Sequence, residues 1–127
     1  MKIIQAINKI IENSDDIKNI VYYNGADEFF FEYRIALVMP IGAYKFYRFS
    51  VKCYGKDEYA VYYYSEDLSP QDICHYKYYS NDKLMFVSYY SNELKTKESL
   101  ETFRDLYNIV KDKYYGASIA FDDIINN

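Results

Sequence analysis

The chain has 127 residues, half of them apolar and 27% charged, with a formal net charge of −4. That length and balance predict one globular domain over 1–127 and exclude a disordered chain. The acidity excludes an ordinary nucleic-acid binder, because phosphate contacts need a surplus of Lys and Arg.

The first predicted element is a helix over 3–11. Ile3, Ile4, Ile7, Ile10 and Ile11 recur at the i, i+3, i+4, i+7, i+8 spacing of one helical face, with Lys2, Gln5, Asn8, Lys9 and Glu12 off it. Asn13-Ser14-Asp15-Asp16 supplies the turn that ends it. The β-branched face gives modest intrinsic propensity, so packing on a sheet has to hold this helix.

The middle of the chain predicts antiparallel strands. Ile17–Tyr23 closes on Asn24-Gly25-Ala26-Asp27. Glu28–Val38 follows, with an apolar odd face (Phe29, Phe31, Tyr33, Ile35, Leu37) expected in the core. Its even face (Phe30, Glu32, Arg34, Ala36, Val38) is mixed and expected to be partly wet. Pro40-Ile41-Gly42 turns into Tyr44–Tyr54, whose Tyr47, Phe49, Val51 and Cys53 share one face. Gly55-Lys56-Asp57 is a hairpin turn into Glu58–Ser65. The longest uncharged stretch, Ile35 to Tyr44, is too short to cross a bilayer.

Ser69-Pro70-Gln71-Asp72 reads as a helix start, with a serine cap, proline at the first helical position and an acid near the positive dipole end. The β-like run Tyr76–Tyr79 limits that helix to a turn or two. Ser80-Asn81-Asp82-Lys83 is expected to turn into a strand over 84–91. Leu100, Phe103, Leu106, Tyr107, Val110 and Tyr114 stripe a second long helix over 98–114, capped by Thr96 and stopped by Gly116. Ser118–Ile125 predicts a last short helix with Ala120 and Ile124 against the body. The fold class is therefore α+β, an antiparallel meander sheet of five or six strands flanked by an N-terminal and a C-terminal helix. Both end helices are expected on one sheet face, leaving the other for solvent or a partner.

Catalytic signatures are absent. His75 is the single histidine and has no partner at nucleophile–base spacing; its neighbour Cys74 points elsewhere in an extended segment. Cys53 and Cys74 lack metal-ligand spacing and predict free, buried thiols of a reducing compartment. No metal, no cofactor, no phosphate loop and no enzyme activity are expected. The amino terminus lacks a signal-peptide pattern, which together with the thiols predicts a cytoplasmic protein.

Eighteen tyrosines and no tryptophan mark the composition. Coding bias accounts for part of that excess, since Ile, Asn and Lys are also abundant. Tyr47, Tyr59, Tyr63 and Tyr107 fall on apolar stripes and are expected in the core. Tyr62, Tyr64, Tyr78 and Tyr90 fall on the other faces and are expected to be exposed, although tyrosine pairs across a wet sheet would need no partner. With Glu66, Asp67 and Asp72 they form the predicted partner-binding face, in which aromatic anchors adjoin fixed carboxylates.

In size, acidity and lack of catalytic motifs the chain resembles the immunity proteins of interbacterial toxins, such as those of contact-dependent growth inhibition. The likeness is one of overall character and attaches to no motif. It implies a non-catalytic inhibitor that binds and neutralises a basic toxin domain, with no direct nucleic-acid or membrane contact, and that is a monomer or weak dimer when free. Three alternatives share the same features. A phage anti-defence inhibitor would be equally small and acidic. A secretion chaperone would follow an α-β-β-β-α-β-β-α order with a longer middle helix. A small nucleotide-binding module would use Arg34, Arg48 and Lys52, the one basic cluster on the sheet, unless these pair with Glu32 or Glu58.

Overall fold

Five strands hydrogen-bond antiparallel in sequence order: β1 (Ile17–Tyr23), β2 (Glu28–Ala36), β3 (Tyr44–Gly55), β4 (Glu58–Tyr64) and β5 (Phe86–Tyr90). This is the expected meander, seen in a computed structural model that describes residues 1–81 and 83–127. The helices are α1 (Lys2–Glu12), α2 (Pro70–Tyr79), α3 (Ser91–Leu94), α4 (Lys97–Tyr115) and α5 (Ala117–Asn126). Two short 3-10 turns flank β1.

One face of the sheet carries α1 and α4. Ile4, Ile7 and Ile10 from α1 and Phe103, Leu106, Tyr107 and Val110 from α4 pack on Phe29, Phe31, Tyr33, Val51, Tyr59 and Val61. Period-3.6 stripes meet period-2 stripes here, whereas Tyr47 and Tyr63, expected in the core, are only half-buried, since they lie towards the ends of the paired rows. The ends of α4 also follow the sequence. Thr96 Oγ1 accepts from the Ser99 N–H at 3.0 Å, and Gly116 takes the left-handed φ of +67° that stops the helix.

The other face departs from expectation. It is not wet at its centre, because α2 packs over β1 and β2. The segment Tyr76–Tyr79 is helical, and α2 runs for ten residues. Pro70, Ile73, Cys74, Lys77 and Tyr78 supply an i, i+3, i+4, i+7, i+8 stripe. The lysine in that stripe and the tyrosines around it make the segment resemble a strand. Beneath the helix lies a second core of Phe30, Ala60, Tyr62, Tyr64, Ile73 and Cys74. The hairpin expected around Ser80–Lys83 consequently has no first strand, and Asp82 lies outside the described residues.

Three smaller differences bear on the surface. Ile35 and Leu37 are exposed, because β2 and β3 extend past the ends of their neighbours. Ala120 and Ile124 of α5 do not pack against the body: α5 has no buried residue. Of the two cysteines, both free, Cys74 is buried and Cys53 is only half-buried.

Candidate partner-binding site

The predicted face divides into a buried half and an exposed half. Tyr62 and Tyr64 are buried, which corrects the expectation that they are exposed. They point from β4 to the face that α2 covers, and there they enclose the half-buried side chain of Lys77. Lys77 Nζ lies 3.4 Å from the Tyr62 ring centroid, with the rings of Phe86, Tyr64, Phe30 and Tyr78 between 5.3 and 5.9 Å away. An ammonium is attracted to these ring faces, and more strongly when water is excluded.

The counter-charge is Glu28, fully buried on β2. Its Oε2 accepts from Lys77 Nζ at 2.7 Å and from Ser50 Oγ at 2.5 Å, and Tyr78 OH donates to its Oε1. Lys77 also donates to Tyr64 OH at 2.9 Å, and Ser50 Oγ lies 2.7 Å from that hydroxyl. Burial pushes the Lys77 ammonium below its ordinary range, while the Glu28 charge opposes the shift. Burial, with the Glu28 charge in support, pushes the Tyr64 phenol up. Burial and the bond to Glu28 do the same for Tyr78. The polar atoms of this cluster satisfy one another. It is a latch between α2 and the sheet, in which Tyr62, Tyr64 and Tyr78, suggested by the sequence for an interface, surround Lys77, Glu28 and Ser50, which were not.

Tyr78 and Tyr90 are half-buried, not free at the surface. Tyr78 stacks on Tyr23 with centroids 4.0 Å apart. Tyr90 OH lies 3.3 Å from Tyr62 OH. The three carboxylates remain towards solvent. Asp72 is exposed at the start of α2, where its N–H donates to Ser69 Oγ at 3.1 Å. Glu66 is half-buried and accepts from the Met85 N–H. Asp67, with its side chain 96% exposed, pairs with Arg48 Nη2 at 2.9 Å.

Arg48 links Asp67 to a feature that the sequence reading passed over. The β2–β3 ladder continues through Arg34↔Phe46, Ile35↔Lys45 and Ala36↔Tyr44, whereas β1 stops opposite Tyr33 and β4 stops opposite Arg48. The last rows therefore form a two-stranded arm with no neighbour in the sheet. Its turn is closed by Leu37 N–H to Ala43 O and Ala43 N–H to Pro40 O, and the Met39–Pro40 peptide is cis. The tip is apolar and open: Val38, Met39 and Ile41 are 89%, 75% and 90% exposed. Leu37, Tyr44 and Phe46 add exposed apolar surface below it. Arg34 seals the root, bonded to Asp16 at 3.0 Å and lying over the Tyr44 ring at 4.4 Å.

This arm is the missed functional candidate. Its signal in the sequence is the uncharged stretch 35–44, a strand end and a turn too short to span a bilayer. Contiguous apolar surface exposed in this manner marks an interaction site in folded proteins. The arm adjoins Asp67 through Arg48, whose Nη1 donates to Phe46 O. The apolar tip and the ion-paired root are therefore parts of one end of the molecule.

The remaining sequence candidates lie elsewhere. His75 is exposed and stacks on Tyr79 with centroids 5.9 Å apart. Arg34 and Arg48 are spoken for by Asp16, Asp67 and Glu32 and so do not converge on an open anion site. A groove of about 580 Å³ between β1 and the start of α5, lined by Ile17, Ile20, Tyr114 and Ile119, contains none of the predicted site residues. No protein-family model, curated protein or solved structure matches the chain.

Proposed function

We propose that this chain is a non-catalytic protein-binding inhibitor, of the immunity type, that neutralises a basic toxin domain by gripping it with the β2–β3 arm. The observation that carries the reading is the arm itself, with Val38, Met39 and Ile41 held in the open on a hydrogen-bonded hairpin. Apolar anchors presented on a fixed backbone lose little entropy on binding. Asp67 and Glu66 at the arm's root provide the acidic rim that would speed and orient a basic partner. Affinity thus moves from Tyr62 and Tyr64, which are committed to the latch, to the arm.

The secretion-chaperone reading gains one point. A ten-residue α2 removes the objection that the middle helix is too short. Four strands before that helix and one after it do not follow the three-and-two division of that order, so inhibition is preferred.

The test is capture from the native source with wild-type chain and with a Val38→Asp/Ile41→Asp variant as baits. The expected result is a basic protein held by the wild type and lost by the variant. That protein should be toxic when expressed alone and harmless when co-expressed with this chain. Equal capture by both baits, or a captured protein whose toxicity the chain leaves intact, would overturn the proposal.

A further inference from the structure

The two edges of the sheet are treated differently. On β1 the register with β2 shifts between Lys18 and Val21, and Asn19 there takes a left-handed φ of 55°. Asn19 Nδ2 donates to Glu32 Oε2 at 3.0 Å. A bulge and a lysine are the usual devices that stop an edge from pairing with another chain. The β5 edge has neither. Residues 84–92, Leu-Met-Phe-Val-Ser-Tyr-Tyr-Ser-Asn, contain no charge and no proline. Among the described residues no strand pairs with the far side of β5. Met85, Phe86 and Val87 are exposed beside it.

From this asymmetry we infer that β5 is a self-association edge, on which β5 of a second copy adds antiparallel about a two-fold axis at Ser88. The occupant is fixed by charge and by pattern. Two chains of net charge −4 repel each other at long range. The uncharged segment 84–92 is a place where they approach without like-charge contact. The strand is also self-complementary in that register. Val87 of one copy would lie opposite Tyr89 of the other on the α4 side of the sheet. Phe86 would lie opposite Tyr90 on the α2 side. Both are apolar cross-strand pairs of the kind that stabilises sheets. Residues 86–90 themselves carry no carboxylate for a basic partner, and Glu66 is bonded to the Met85 N–H at the start of the segment. Self-association here rests on the strand edge and does not depend on the inhibitor reading. One short strand buries less than the roughly 800 Å² per partner of a standard interface, so the dimer is weak.

The experiment is sedimentation equilibrium on the full chain across about 1 µM to about 1 mM, the range in which weak dimers dissociate. The mass is expected to rise from the 15.2 kDa monomer towards twice that value. Val87→Lys and Met85→Lys, both at exposed positions, should each raise the dissociation constant at least about tenfold by placing a charge on the edge, whereas Val38→Asp on the arm should leave it unchanged. Amide exchange on the wild type is the second measurement, with protection of residues 86–90 expected to rise with concentration. A chain that stays monomeric throughout overturns the inference. So does a dimer insensitive to both lysine variants, a dimer lost with Val38→Asp, or exchange at β5 that is independent of concentration.

Discussion

Lys77 Nζ meets Glu28 Oε2 at 2.7 Å beneath α2, with the Glu28 side chain wholly out of solvent. This pair joins α2 to the first residue of β2. A carboxylate at that depth depends on its donors, and Lys77 supplies the one full positive charge among them. Lys77→Met should therefore destabilise the fold by about 3–5 kcal/mol, because it leaves a buried charge uncompensated. The double change Lys77→Met/Glu28→Gln should recover part of that loss. Urea titrations of the three proteins measure both effects. Equal stability of Lys77→Met and wild type would show that the latch does not hold α2.

Tyr62→Ala tests whether the tyrosines serve the core or a partner. Tyr62 is buried and forms the nearest wall around Lys77, so the truncation should cost about 3–5 kcal/mol of stability, as for other large aromatics removed from cores. Val38→Asp should change stability by less than about 0.5 kcal/mol, since surface substitutions away from packed features rarely do more. Thermal melts of the two variants separate the roles. A Tyr62→Ala protein with an unchanged melt would return that residue to the interface.

Stability should fall steeply at alkaline pH. Tyr22 is pushed up to about 12 by burial and by its bond to Asp27. Tyr107 is raised for the same reasons, and Tyr62, Tyr64 and Tyr78 are raised chiefly by burial. A group raised in the folded state contributes stability that is complete below its unfolded pKa, about 10 for tyrosine, and is lost as pH climbs through the folded value. Lys77, lowered by burial, acts in the opposite sense over its own window below the ordinary lysine range. One lysine against several tyrosines leaves a net loss above about pH 10. Denaturant midpoints against pH, followed alongside tyrosinate absorbance, should show unfolding and ionisation together. Tyr22→Phe should make the fall shallower by removing one linked proton.

Two helix ends give local controls. Thr96→Ala removes the acceptor for the Ser99 N–H and should cost about 1 kcal/mol. Gly116→Ala places a Cβ at a φ of +67°, where the strain is about 1 kcal/mol. Chemical denaturation reads both, and a neutral Gly116→Ala would mean that the turn into α5 relaxes freely.

His75→Ala should leave folding and partner binding unchanged. The imidazole is exposed and contacts only the rings of Tyr76 and Tyr79 among its ring neighbours. Loss of cell-based function in a folded His75→Ala protein would reopen a catalytic reading.

Ile4, Ile7 and Ile10 on α1, Phe103, Leu106 and Val110 on α4, and the alternation of Phe29, Phe31 and Val51 were all readable from the chain alone. Their spacing encodes which way each side chain points, and a face apolar along its whole length has one stable place to go. The caps at Thr96 and Gly116 were readable for a similar reason, because each satisfies backbone groups within a few residues. Tertiary structure alone decided the fate of Tyr62, Tyr64, Glu28 and Lys77. A tyrosine or a charged group on the second face of a strand is compatible with water, with a partner or with burial, and its destination depends on what another segment brings. Here α2 brings Lys77 to Glu28 across 49 positions of sequence, and no local pattern records that meeting. The arm is the converse case. Ile35 and Leu37 continue the apolar alternation of β2, yet they are exposed because β1 and β4 end before reaching them. Strand length relative to its neighbours is a property of the assembled sheet, and it determined which apolar residues stay in the open.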